Sequence, residues 1–202
     1  MSLFEKDLAK EAILGIFLSD QYSSNDLKTK RITDKGLQLK GVDLIIETND
    51  GLNFKIDEKA QLHYINKDLP TFALEIDYLK DGVLKEGWLY SSEKITEIYA
   101  FVFSIHLIDG SNELEKEEDI RSCEVVFVNR IRLINKLATL NLDLKTCKAV
   151  SNVLRSAEEE TKINHPSGFN FQISNHLTEK PVNLVVKKSF LESLGKKFSF
   201  SR

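Results

Sequence analysis

The stretch GVDLIIETNDGLNFKIDEKAQLHY, residues 41–64, decides how this chain is read. TNDG at 48–51 is a tight-turn signal between two apolar-rich runs, so the segment folds back on itself as a β-hairpin. The second run alternates regularly. Leu52, Phe54, Ile56, Ala60 and Leu62 take one face, and Asn53, Lys55, Asp57, Lys59, Gln61 and His63 take the other. Asp43 opens the first strand and Asp57 stands late in the second, so the turn carries two carboxylates toward one another. Like charges on neighbouring strands repel unless something positive lies between them. A divalent cation suits that place, and Mg²⁺ in particular, because it takes one or two protein carboxylates and keeps several waters. The same Asp-x-Lys row has a plainer reading as a solvated sheet face with cross-strand ion pairs, and the hairpin alone leaves both open.

Upstream, residues 3–18 have helical periodicity. Phe4, Leu8, Ala9, Ala12, Ile13 and Ile16 form one broad apolar face, with Lys6, Asp7 and Lys10 opposite. Glu5 falls inside the apolar arc and Glu11 at its border. An acid in that place is either a first-turn residue favoured by the helix dipole or a carboxylate held for a purpose. Residues 20–36 are polar. Downstream, TFALEIDYL at 71–79 reads as a third strand with Glu75 and Asp77 on one face, and GWLY and TEIYAFVFSIHLI as further strands. EVVFVNR reads as a strand, IRLINKLATL and LKTCKAVSNVLRSAEEE as helices, HPSGF as a turn, PVNLVVK as a strand and KSFLESLGKK as a closing helix. A helix, a three-strand meander and mixed elements make an α/β fold.

The length of 202 residues fits one domain, with a core over about 3–140 and a C-terminal extension of α/β additions over about 141–202. A net charge of −3 argues against coating nucleic acid by bulk charge, but charge is unevenly spread. Lys28, Lys30, Arg31, Lys35 and Lys40 crowd the approach to Asp43, a second basic group closes the chain, and Glu113 to Asp119 is acidic. Such runs are most often solvated faces. The two cysteines, Cys123 and Cys147, form no CxxC pattern, which points to a reducing, cytoplasmic setting. No apolar run approaches the roughly 20 residues of a membrane span, so no membrane partner is expected.

Several familiar sites are ruled out. Gly36 and Gly41 have P-loop spacing, but Val42 and Asp43 stand where Lys and Ser or Thr are required. There is no GxGxxG and no GxSxG, and the four histidines have no HExxH spacing. Only His63 shares a face with Asp57.

What remains resembles the restriction-endonuclease-like nuclease superfamily, named for its PD-(D/E)xK motif. Glu5 on a helix, GVD ending at Asp43, and DEK at 57–59 occur in the family's order and on its expected elements. Gln61 stands two residues beyond the lysine, where many members have a polar residue. Val42 replaces the nominal proline. The resemblance covers about residues 3–106, and LPTFALEI with KEGWLYSSEKITEIYAF has the look of an uncharacterised subgroup. It implies a restriction-endonuclease-like core (helix, three-strand meander, helix, strand) around a mixed central sheet. It also implies Mg²⁺- or Mn²⁺-dependent hydrolysis of phosphodiester bonds in DNA, with RNA left open, in a restriction, repair or mobile-element setting, and it allows a homodimer. Asp43 and Asp57 would hold the metal, with the backbone carbonyl of Glu58 as a further ligand. Lys59 would stabilise developing charge, Glu5 would complete the site, and Gln61 would position water or phosphate. Glu75 is a lesser candidate for the same rim. Alternation turns the Glu58 side chain to the apolar face, as a buried partner. The basic cluster Lys28–Lys40 would bind phosphates. The alternative is a catalytically inactive member of the fold acting as a nucleic-acid or protein binding module.

Overall fold

A computed structural model describes residues 3–109, 111–157 and 159–202, the side chains of residues 3–6 excepted. Helix α1 (Leu3–Ser24) leads to strand β1 (Lys28–Arg31), the short helix α2 (Lys35–Leu39) and the hairpin β2 (Leu44–Glu47) and β3 (Asn53–Ala60). Strands β4 (Thr71–Lys80), β5 (Val83–Glu86), β6 (Ile98–Leu107) and β7 (Ile120–Asn129) follow. Helices α3 (Arg130–Ala138) and α4 (Leu144–Ser156) precede β8 (Lys162–Asn164), β9 (Asn170–Ile173), β10 (Val182–Lys187), α5 (Lys188–Leu194) and the closing strand β11 (Lys196–Ser201).

These elements divide into two compact units, and the chain passes between them repeatedly. One holds residues 1–69, 95–129 and 195–202, and the other 70–94 and 130–194. The division does not fall near residue 140, where the sequence led us to end the core.

In the first unit a six-stranded mixed sheet runs β1-β2-β3-β6-β7-β11. β3 and β6 are parallel, and every other neighbouring pair is antiparallel. The hairpin loop closes where the Thr48 N–H donates to the Leu52 carbonyl at 2.8 Å. Gly51 there has a φ of +81°, a left-handed conformation that glycine adopts without steric cost. Under the sheet, Leu14, Phe17, Leu18 and Tyr22 of α1 share one core with Leu44, Ile56, Val102, Val125 and Phe200. Each such side chain, fully buried, stabilises the unit by roughly 1.5–3 kcal/mol.

That stripe corrects the helix phase. The residues facing the core run 14, 17, 18, 22, whereas Leu8 and Ile16 are 48% and 55% exposed. α1 carries apolar residues all round, and nothing in 19–24 breaks it, so Leu18 and Tyr22 rather than the earlier residues set its orientation. It ends in a left-handed Asp26 (φ 58°), with the Leu27 N–H returning to the Tyr22 carbonyl at 3.0 Å.

The expected three-strand meander is also corrected. β4, the TFALEIDYL strand, belongs to the other unit, where a five-stranded antiparallel sheet runs β5-β4-β10-β9-β8. Glu75 on β4 therefore does not adjoin β3. The place beside β3 is taken by β6, paired Asp57 to Tyr99, Glu58 to Ala100 and Lys59 to Phe101. GWLY is a turn, and FSF near the terminus belongs to β11. In the second unit α4 packs on β4, β8 and β9, and its Arg155 donates from Nε to buried Asp77 at 3.1 Å.

Candidate functional site

The β2–β3 register builds the site. Leu44 pairs with Ile56 as the last step of the ladder, and Asp43, just before it, stands close enough to Asp57 for the two charges to interact. The Asp43 N–H donates to the Ile56 carbonyl at 2.8 Å. Its carboxylate then stands in for a backbone acceptor, with Oδ2 receiving the N–H of Glu58 at 2.8 Å. Asp57 is buried, 1% exposed, beside the buried rings of Tyr99 and Phe101. Lys59 sits two residues along the same face, and its Nζ lies 2.6 Å from Asp57 Oδ1.

The other oxygen, Asp57 Oδ2, is buried and receives no hydrogen bond in the structure. An unmet buried carboxylate oxygen is costly and calls for a proton, a water or a cation. Asp43 carries the same signal. Burial first, and then the charge of Asp57, push its carboxyl up to about 7, against the opposing effects of Lys59 and the Glu58 N–H. Burial works against the charge on Lys59, but Asp57, the hydrogen bond to it, Asp43 and Tyr99 outweigh that and hold the ammonium above its ordinary range. Among the described residues no group of three or more His, Cys, Asp or Glu is placed to hold a metal. Two carboxylates with waters and a backbone carbonyl are nevertheless a sufficient set for Mg²⁺.

The side chain of Glu5 lies outside the described residues. α1 brings Glu11 within reach of Lys59 and Asp57. The Glu11 carboxyl is raised above the usual range, by burial first, with Lys59 opposing and Asp7 and Asp57 adding. Asp7, one turn earlier, is 3.6 Å from His63 Nε2. Glu11 could have been found from the stripe it heads: 11, 14, 18 and 22 fall on one helix face. Gln61 is half-buried just beyond β3.

Glu58 faces the other way, as alternation indicates. Arg31 closes on it through Nη1 to Oε2 and Nη2 to Oε1, and the Tyr22 hydroxyl donates to Oε1 at 2.9 Å. Arg31 also donates to the Gly15 carbonyl at 2.6 Å and to Ser19 Oγ at 2.8 Å. Burial, and then the Glu58 charge, raise the Tyr22 phenol well above its ordinary value, so it stays a donor. Arg31 is therefore turned inward and committed to Glu58, while Lys28, Lys30, Lys35 and Lys40 are exposed. Lys28 lies 3.6 Å from Glu47.

Comparison with protein-family models, with curated proteins and with solved structures returns no match to this chain.

Proposed function

We propose that this chain is a metal-dependent nuclease with a restriction-endonuclease-like core, hydrolysing phosphodiester bonds in DNA. The observation that carries the reading is Asp57 Oδ2, a buried carboxylate oxygen with no hydrogen bond, on a strand whose next side chain on that face is Lys59. Asp43 and Asp57 would hold Mg²⁺ with the Glu58 carbonyl. When bound, the ion supplies Lewis-acid polarisation of a phosphoryl oxygen and a water of lowered pKa. The core assignment rests on α1, β2 and β3 and departs from the family's order at the third strand, where β6 replaces β4.

Lys59 does not serve as a base in this reading. Its ammonium is held charged by Asp57, so it orients the attacking water and offsets negative charge developing on the phosphoryl group. Glu11 holds water at the rim, and Gln61 offers amide donors to phosphate. Lys28, Lys30, Lys35 and Lys40 supply phosphate contacts on the approach to Asp43.

A second reading, a binding module without catalysis, is favoured by the Asp57–Lys59 pair itself, which meets part of the charge without any metal ion. Incubation with linear and circular DNA, with Mg²⁺ and with chelator, separates the two. Cleavage that needs the ion and is abolished in Asp57→Asn supports the nuclease. Cleavage in excess chelator, or full activity in Asp57→Asn, overturns it.

A further inference from the structure

We infer that the exposed ring of Tyr64, at the open rim of a shallow cleft beside the C-terminal ends of β3 and β6, stacks an unpaired nucleobase next to the scissile phosphodiester, so that the substrate is single-stranded or frayed DNA. This rests on the nuclease reading. Gln61, Tyr64 and Lys67 line one side of the cleft and Val102–Ile105 the other. The cleft is too shallow to enclose a base, so the base lies on the ring that water now covers.

The chemistry of the lining matches such an occupant. Tyr64 is 46% exposed, a large aromatic ring left in water on the short turn that follows β3. The ammonium of Lys67 stands 5.8 Å from the centre of that ring. An aromatic face beside a cation is the pairing that single-strand binding uses, the ring to stack a base and the charge to meet the backbone. Ser104 adds a hydroxyl for the edge of the base. Gln61 lies two residues past Lys59, roughly 7 Å along the strand direction, so the cleft begins one short step from the catalytic row.

β6 is distorted here. Its register with β7 slips between Phe103 and His106, and Ser104 has a φ of +49°. A serine in the left-handed region inside a strand is strained, and such strain concentrates at functional sites. Phe103 and Ile105 on either side are buried, whereas Ser104 between them is partly exposed. The nearby acid Asp68 is bonded to His106 Nε2 at 2.9 Å.

The test is anisotropy with a labelled oligothymidylate and with a blunt duplex, using the full chain in chelator so that nothing is cut, and circular dichroism as a folding check. Single strand should bind more tightly than duplex. Tyr64→Ala should weaken single-strand binding by roughly 5- to 150-fold, the loss of one stacked base, and Tyr64→Trp should retain it. Lys67→Ala should lower the salt slope for the single strand by about 0.7. Unchanged single-strand affinity in folded Tyr64→Ala, or an equal loss for duplex, overturns the subsite and leaves the nuclease reading standing. No binding to either DNA, together with no Mg²⁺-dependent cleavage, overturns both.

Discussion

Asp43 Oδ2 accepts the N–H of Glu58 at 2.8 Å, and this bond holds the acid just ahead of β2 within reach of the Asp57 charge instead of letting it swing into water. A residue of β3 thus holds together two charges that repel. The arrangement destabilises the fold unless a proton or a cation intervenes, and its effect on stability depends on which of the two is present.

Without metal, the proton decides. Asp43 is raised to about 7, by burial first and Asp57 second, whereas an unfolded aspartate titrates near ~3.9. Between those values the folded state binds a proton that the unfolded state lacks. The contribution is fully present below the unfolded value and is lost as pH rises through about 7. In chelator, the wild type should lose on the order of 2 kcal/mol more stability between pH 5 and pH 8 than Asp43→Asn does. Urea denaturation at the two pH values measures this, and parallel losses would contradict the assignment.

With metal, the dependence reverses. Mg²⁺ competes with the proton for Asp43, so it should raise the urea midpoint at pH 8 and barely at pH 5. At a hundredfold excess over its dissociation constant the gain is about 2.7 kcal/mol. Asp57→Asn should remove that gain. Its own stability should change little, since the lost bond to Lys59 is offset by relief of Asp43. A Mg²⁺ effect of equal size in Asp57→Asn would place the ion elsewhere.

Behind the site, Arg31 and Glu58 form a partly buried pair that ties β3 to β1. Removing either partner alone should cost about 2–3 kcal/mol, below the range for a fully buried pair because Arg31 is partly solvated. The double variant Arg31→Met, Glu58→Leu should cost less than the sum of the single changes. Tyr22→Phe should cost about 1 kcal/mol. A thermodynamic cycle from urea melts checks all three values, and strict additivity would show that the two residues act separately.

The hairpin was legible because alternation is a local signal: each residue of 52–62 states its own face, and Glu58 is where the pattern places it. α1 was less so. Its apolar residues surround the helix, and its phase is set by Leu18 and Tyr22 against strands far along the chain. Glu11 therefore reaches the site from an arc that local periodicity made marginal. Nor could β4 be assigned to another sheet from its own residues, since its alternation suits any half-buried strand. Gly195 read as part of a helix end. In the fold it is the point where the chain passes so close to Phe127 that an added Cβ would lie 2.1 Å from its carbonyl oxygen, and β11 then pairs with β7. That approach depends on a contact nearly seventy residues away in sequence.

The basic approach to the site should act on binding alone. Replacing Lys28, Lys30, Lys35 and Lys40 with alanine should weaken DNA affinity and reduce the salt slope by about 0.9 per lost duplex contact, or about 0.7 for a single strand. Arg31 is left out because its guanidinium is occupied by Glu58. The turnover rate at saturating DNA should hold. An unchanged slope would move the DNA path to another surface.

The helix acid gives the last test. Glu11 stands near Lys59 and Asp57, and its carboxyl is raised by burial first, against the ammonium of Lys59, with Asp7 and Asp57 adding to the rise. If it orders water at the rim of the site, Glu11→Gln should lower the rate at saturating substrate several-fold and raise the Mg²⁺ requirement. Stability should scarcely move, since glutamine keeps the side-chain volume and removes a charge that burial already disfavours. Glu5→Gln, on the first turn of the same helix, is the companion measurement. A first-turn acid that only complements the helix dipole contributes about 0.3–1 kcal/mol to stability and nothing to cleavage. A rate loss in Glu11→Gln with a purely thermal effect in Glu5→Gln assigns the role to Glu11. The opposite pattern returns it to Glu5, and full activity in both removes the helix from the chemistry altogether.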